Sequence, residues 1–294
     1  MGILLGLSAA LSWGFADFLA RFATHRVGTI RTVFYMQTAG FVLLTLALPQ
    51  LGGWGHLGDG SGWAPWAWGV LAGTLNMGAM LALYRSFEIG KLSIVAPISA
   101  SYPVLTVALS FLTGERLTPG RGVGIALTVV GVVLASTGAA EAPNASAENS
   151  PPPQKSGSAG ILWALLAALG FGVLFWLLGV RVVPRVGGPA SVWMIRLTCT
   201  LLSAVLVLAL RLPVRPPRGN FSWLMAGMGL LDTGAFVCNN TGVQLDQVSV
   251  VSVLTSLYGA VTVALAAAFL RENLAWWQWA GIMLIFGGIY FVSR

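Results

Sequence analysis

The chain has 294 residues, of which 56% are hydrophobic and 9% are charged. A soluble domain carries roughly a quarter charged residues, so this composition excludes an ordinary soluble protein and predicts a polytopic α-helical membrane protein. The formal net charge of +7 comes from Lys and Arg that mostly flank apolar runs. In a membrane protein such residues orient the helices, so the positive charge does not indicate a nucleic-acid partner.

Ten apolar segments are long enough to cross a bilayer, which takes about 20 residues per helix. Their approximate bounds are 2–22, 31–50, 66–86, 92–112, 119–138, 158–180, 189–210, 221–243, 248–270 and 275–292. The first segment has no Lys or Arg before its apolar run, so we interpret it as a retained helix rather than a secretory signal. A Pro- and Ser-rich stretch, residues 141–157, separates five predicted helices in residues 1–140 from five in residues 158–294.

The second half of the chain repeats the first. Glu115 matches Glu272 at a spacing of 157 positions. Further matches at the same spacing are Ser99 with Ser256, Gly124 with Gly281 and Gly131 with Gly288. Since each half holds an odd number of predicted helices, the second half enters the membrane from the opposite side. The sequence therefore predicts a 5+5 inverted repeat, in which a site lies between the two halves.

Charged residues are rare within membrane spans because burying a charge in hydrocarbon costs several kcal/mol. Asp17, Arg196 and Asp232 are the candidates here. Arg196 and Asp232 lie at depths that differ by roughly 5 Å, which brings them within reach of each other. Two interpretations remain open: an ion pair between helices, or a charged cavity wall with Asp232 as a site for a coupling proton. Asp17 lies four residues before Arg21, which predicts an i,i+4 pair near the membrane edge.

Proline predicts an interruption in the fourth span. Pro103 has no N–H to donate to the carbonyl of Ser99, so the helix is expected to kink there. Interrupted helices in membranes often mark binding sites. The ninth span has no Pro at the matching positions, so the sequence predicts an asymmetric kink.

Uncharged polar and aromatic side chains within the spans supply further candidates. Buried amides and hydroxyls find partners either across helices or on a ligand. Trp13 and Trp176 lie deeper than interfacial tryptophans and are candidates for lining a cavity for an organic substrate. The sequence contains no phosphate-binding loop, nucleophile motif or metal-ligand spacing, and Cys199 and Cys238 are interpreted as packing residues. We therefore expect no enzyme activity, no cofactor and no metal site.

The motifs PISASYPVL at 97–105 and GERL at 114–117, followed by Gly124 and Gly131, resemble the repeat of EamA-type carriers in the drug/metabolite transporter superfamily. The resemblance extends over essentially the whole chain. It implies an all-α fold of ten transmembrane helices in a 5+5 inverted repeat. It also implies a secondary carrier, often an exporter of amino acids or other small metabolites, with a cavity lined mainly by helices 1, 3, 4, 6, 8 and 9.

The expected function is alternating-access transport of a small organic metabolite, an amino acid or similar solute, with export favoured. The alternative is a non-transporting membrane receptor or assembly protein that binds a ligand in the central cavity. The expected partners are this solute and membrane lipid, and the expected setting is the inner (plasma) membrane of a bacterium, as a monomer or homodimer. The residues expected to line the substrate path are Trp13, Asn76, Tyr84, Ser99, Tyr102, Trp163, Trp176, Arg196, Asp232, Asn239 and Ser256.

Overall fold

The computed structural model describes residues 1–53, 55, 62–90, 92–136, 157–214, 220–270 and 276–292. Its regular elements over these ranges are helices, with no strand among them, which confirms the all-α class. Seven helical stretches of the described chain are long and apolar enough to cross a membrane, and a shorter apolar helix covers Ile98–Leu112. Glu272 and nearly all of the predicted linker lie outside the described residues.

The helices follow one another with short connections. In chain order they are α1 (Gly2–Val27), α2 (Thr29–Ala47), α3 (Ala64–Ile89), α4 (Leu92–Ala100), α5 (Pro103–Leu112), α6 (Pro119–Ser136), α7 (Gly157–Leu177), α8 (Val183–Val186), α9 (Gly188–Ala209), α10 (Asn220–Leu245), α11 (Val248–Thr255), α12 (Tyr258–Leu270) and α13 (Trp276–Val292). A π-helical turn, Leu178–Val182, joins α7 to α8.

Single glycines make two of the tightest turns. Gly28 connects α1 to α2 with φ of 82°, and Gly187 connects α8 to α9 with φ of 79°. A residue with a Cβ atom is strained at such angles, whereas glycine adopts them readily. Gly28 ends α1 after Val27, beyond the predicted end near residue 22.

Two of the predicted spans are interrupted. The first break lies between Ala100 and Pro103, as the proline predicts. The second lies between Thr255 and Tyr258, in the span that lacks a matching proline. The prediction of a kink in one half alone was therefore wrong.

Hydroxyl groups bond backbone carbonyls at the break that has no proline. Thr255 Oγ1 donates to the carbonyl of Ser252 at 3.0 Å, and Ser256 Oγ donates to the carbonyl of Val253 at 2.7 Å. The Ser252 carbonyl still accepts the regular backbone bond from Ser256 N at 3.1 Å. At Val253 the hydroxyl takes the place of a backbone donor, because Leu257 N bonds the Leu254 carbonyl instead, at 3.3 Å. Beyond the break, Gly259 N bonds the carbonyl of Ser256, three residues back. The span is therefore interrupted by a tightened turn in which backbone N–H groups bond carbonyls three residues back.

Helix packing is reciprocal between the two parts of the chain. α1 packs on α10 and α12, while α7 packs on α3 and α5. α2 packs on α9, and α6 packs on α13. Small residues permit the close contacts: a Cβ atom added at Gly288 would lie 2.7 Å from the carbonyl oxygen of Gly124. The bundle that results surrounds a central site with side chains from α1, α3, α7, α10 and both interrupted spans.

Candidate functional site

A small cavity of about 20 Å³ lies at the centre of the bundle. A volume of this size holds about one water molecule. Its wall combines aromatic rings, two aliphatic or thioether side chains and two carboxylates. The lining residues are Trp13, Tyr102, Phe171, Phe175, Phe236 and Tyr258, with Met80, Leu83, Asp17 and Asp232.

Asp232 forms the best-connected part of this wall. Its Oδ1 accepts a hydrogen bond of 2.9 Å from Trp13 Nε1, and its Oδ2 lies 2.5 Å from Arg196 Nη2. The side chains of Arg196 and Asp232 are 0% and 3% exposed. The pairing considered from the sequence is therefore confirmed. Asp232 forms the ion pair and also lines the cavity, so it fits both interpretations.

Arg196 is held from several sides. Its Nη1 donates to Gln37 Oε1, and its guanidinium carbon lies 5.0 Å from the centre of the Phe236 ring. Arg196 Nε, Gln37 Nε2 and Thr233 Oγ1 are buried without a hydrogen-bond partner among the described residues. Arg196 thus ties α9 to α2 and α10, directly behind the cavity wall.

Asp17 does not form the predicted pair with Arg21. Arg21 Nη1 instead donates to the carbonyls of Phe87 and Gly90, at 2.7 and 2.8 Å. These carbonyls lie at the C-terminal end of α3, where backbone acceptors lack helical partners and the helix dipole attracts a cation. Asp17 is 4% exposed and lies on the cavity wall. Within the described part of the chain, its carboxylate has no cation or hydrogen-bond donor.

The two interrupted spans meet across the cavity through their tyrosines. Tyr102 Oη lies 2.6 Å from Thr255 Oγ1 and 3.0 Å from the carbonyl oxygen of Ser252. Tyr258 Oη donates to Ser99 Oγ at 3.4 Å. The two tyrosine rings are stacked, with centres 6.4 Å apart. Each break therefore contributes a tyrosine that bonds the opposite span.

Several other predicted residues are buried between helices without lining the cavity. Asn76 Nδ2 donates to Cys199 Sγ at 3.3 Å, and Tyr84 Oη donates to Met36 Sδ at 2.9 Å. These bonds hold α3 against α9 and α2. Both residues lie close to the site without facing into it.

A second group of predicted residues lies further from the cavity. Asn239 bonds the neighbouring Asn240, and the Ser256 hydroxyl serves the break in its own span. Trp176 Nε1 donates to Thr113 Oγ1 at 3.2 Å, and Trp163 is 38% exposed. The structure brings neither of these tryptophans to the cavity.

The residues predicted to line the path include only three of the ten lining residues, although a local signal exists for some of the others. Phe171 and Phe175 are four positions apart on α7, as Asp232 and Phe236 are on α10. Positions four apart share one face of a helix. Extending the two predicted residues Trp13 and Asp232 by this spacing identifies Asp17 and Phe236.

The comparisons with known proteins agree with this architecture. The model of the EamA-like transporter family matches residues 1–137 and 158–294. The chain belongs to this family. The resemblance found in the sequence is thereby confirmed, and the protein is a multi-pass integral membrane protein of a drug/metabolite transporter family.

Individual relatives of this EamA-like chain carry less information about function. An uncharacterized protein of Methanocaldococcus jannaschii is 40% identical over 68 residues, which are 23% of this chain. The match spans 50% of that relative's length. One solved crystal structure has a TM-score of 0.76 and 21% identity, and the match covers 99% of this chain and 96% of that one. At this identity the crystal structure establishes the fold alone.

Proposed function

We propose that this EamA-family chain is a secondary transporter that moves a small organic metabolite through the central cavity by alternating access, with export favoured. The observation that carries the proposal is the composition of the cavity wall. Five lining residues, among them Trp13 and Tyr102, come from residues 1–140, and five, among them Asp232 and Tyr258, come from residues 158–294. A site shared equally between two related halves is exposed to one side or the other as the halves move relative to each other.

The proposed architecture is ten membrane crossings in an inverted repeat, with halves 1–140 and 158–294 joined by linker 141–157. Reciprocal packing supports it. Suppose that α7 corresponds to α1 and that α10 corresponds to α3. The contact of α1 with α10 is then equivalent to the contact of α7 with α3. Self-reciprocal contacts, α2 with α9 and α6 with α13, are then expected on the pseudo-two-fold axis.

The size of the cavity supports alternating access. A space of about 20 Å³ does not admit a metabolite. Ligand sites for small organic molecules typically measure about 300–1,000 Å³. A chain that transports such a solute therefore has to adopt a more open conformation, which a substrate stabilises by binding to it. The two interrupted spans are the elements on which such a change is expected to act, because their regular backbone hydrogen bonding is already broken.

The proposed setting is the inner membrane of a bacterium, in contact with lipid, as a monomer or homodimer. The substrate is proposed to be an amino acid or a similar small solute. The membrane-spanning composition and the family are consistent with this setting.

Counterflow in proteoliposomes tests the transport function. Vesicles containing the purified chain are loaded with unlabelled solutes from pooled metabolite classes and are then exposed to a radiolabelled trace of each. A transporter concentrates the label of its own substrate transiently inside the vesicle. Saturable binding without accumulation would instead identify a receptor and refute the proposal.

The role of Asp232 in coupling is tested with Asp232→Asn across a pH series. The amide oxygen retains an acceptor for Trp13 Nε1, but Arg196 loses its counter-charge, so transport is normalised to the amount of folded protein in the vesicles. Altered transport or altered pH dependence is expected. Glu88→Gln, which removes a carboxylate at the end of α3, is the matched control. Transport by Asp232→Asn that equals the control at every pH would rule out the coupling role.

A further inference from the structure

The charges at the cavity do not balance. Asp232 is neutralised by Arg196 at 2.5 Å, which leaves Asp17 as the carboxylate of the wall without a counter-charge among the described residues. Asp17 is 4% exposed and faces the same small space. Holding a lone carboxylate in such a place is costly, and either protonation or a bound cation removes that cost.

The hydrogen-bond donors of the wall are already in use. Trp13 Nε1 donates to Asp232, Tyr258 Oη donates to Ser99, and Tyr102 Oη is within bonding distance of the carbonyl of Ser252. These are the lining side chains that carry an N–H or O–H group. A carboxylate or phosphate group in the cavity would therefore meet no available donor from the lining side chains, and a buried anion without donors is strongly disfavoured.

The rest of the wall is suited to a cation with an apolar body. Six of the ten lining residues are aromatic, and the thioether of Met80 adds a polarisable neighbour. Aromatic rings attract cations through their quadrupole, most strongly where water is excluded. One ring already does so here, since the Arg196 guanidinium carbon lies 5.0 Å from the centre of the Phe236 ring.

We infer that the cavity binds a monovalent organic cation, with its ammonium group at Asp17 and its apolar body among the aromatic rings. This inference rests on the proposed transport function, and it replaces the amino acid named there as substrate with organic amines and related cations. It also separates the two acidic residues. Asp17 contacts the ligand, whereas Asp232 positions Trp13 and Arg196. A zwitterionic amino acid fits the site poorly, because its carboxylate would have no donor.

Three probes of nearly equal size and different charge test the inference on the unmodified protein. They are 2-phenylethylamine, which is a cation at neutral pH, 2-phenylethanol, which is neutral, and 3-phenylpropionate, which is an anion. Binding to the purified chain in detergent is measured by titration calorimetry and by the rise in melting temperature. The amine is expected to bind at least about tenfold more tightly than either analogue. Equal binding of the three probes, or tighter binding of the anion, would overturn the inference without any mutation.

A charge-removing variant locates the contact. Asp17→Asn is nearly isosteric and breaks no ion pair of the described residues, so the variant is expected to fold. It should weaken binding of the amine by roughly 10- to 100-fold, the range for a hydrogen bond to a charged group, and should leave binding of the alcohol unchanged. Glu88→Gln serves as the control, since it removes a carboxylate that pairs with Arg85 outside the cavity. Wild-type affinity of Asp17→Asn for the amine would show that the cation binds elsewhere and would overturn the inference.

Counterflow with the same three probes separates this inference from the proposed function. Exchange of the amine that is lost in Asp17→Asn supports both. Exchange of the alcohol or the acid in preference to the amine overturns the cation site and leaves transport standing. Binding of the amine that depends on Asp17, with no exchange of any probe or metabolite pool, overturns transport and leaves the cation site standing.

Discussion

Removing one member of the Arg196–Asp232 pair is expected to destabilise the protein strongly. The closest nitrogen and oxygen atoms are 2.5 Å apart, and the two side chains are 0% and 3% exposed. At an effective dielectric constant of about 20, the gross Coulomb attraction is on the order of 7 kcal/mol, most of which offsets the loss of hydration. Arg196→Met leaves a buried carboxylate without its cation, so we expect a loss of roughly 3–5 kcal/mol in the free energy of unfolding.

The double variant decides whether this reasoning is right. Arg196→Met with Asp232→Asn removes both charges and keeps an acceptor for Trp13. Its stability is expected to lie within about 2 kcal/mol of the unmodified protein, because no uncompensated charge remains. Stability is measured by denaturant unfolding in mixed micelles, and a double-mutant cycle isolates the coupling energy.

An exposed pair serves as the control for the cycle. The side chains of Arg85 and Glu88 are 45% and 26% exposed and 3.0 Å apart. Their coupling energy is expected to be below about 1 kcal/mol, as for other solvent-screened pairs. If the two single losses at Arg196 and Asp232 simply add in the double variant, the two side chains are not coupled, and the destabilisation does not come from an uncompensated charge.

Three further predictions concern packing, backbone angle and hydrogen bonding. Gly288→Ala is expected to lower the free energy of unfolding by about 1–3 kcal/mol, because the added Cβ atom would overlap Thr128. Gly287→Ala has open space around the added atom and should be neutral or slightly stabilising in thermal unfolding. Gly28→Ala should cost about 1–2 kcal/mol through its φ of 82° alone, since nothing lies within 4 Å of the added atom; a neutral result would remove the strain argument. Tyr102→Phe should cost about 1 kcal/mol and increase the rate of hydrogen exchange at the break in the opposite span.

Properties that depend on composition and depth were predictable from the sequence. Long apolar runs identify the helices because the bilayer demands internally satisfied backbone hydrogen bonds. Counting residues from a shared loop placed Arg196 and Asp232 at similar depths, and the structure pairs them. Both predictions depend on distance along a helix axis, and this distance follows directly from the number of residues.

Side-chain contacts were harder to predict where more than one partner lies within reach. The i,i+4 rule paired Asp17 with Arg21, but the free carbonyls at the end of α3 offer Arg21 two charge-assisted bonds. Phe171 and Phe175 were not recognised because lipid-facing and cavity-facing aromatic residues look alike in an apolar helix. In both cases the deciding partner lies on another helix.

The second break shows why proline alone is an incomplete signal. Thr255 and Ser256 stand at adjacent positions, and each hydroxyl bonds a carbonyl three residues earlier. The local sequence contained this information, yet hydroxyl groups in membrane helices often point elsewhere.

The contacts between the two breaks also set the energy needed to open the cavity. Tyr102 reaches Thr255 and Ser252, and Tyr258 reaches Ser99. At about 1 kcal/mol for each of these hydrogen bonds, separating the spans costs a few kcal/mol. A difference of this size leaves roughly 0.1–10% of molecules in a minor conformation. The hydrogen bonds of the two tyrosines are one part of the opening cost, and loss of packing between the stacked tyrosine rings is another. A ligand that binds the open form has to supply a comparable free energy to shift the equilibrium.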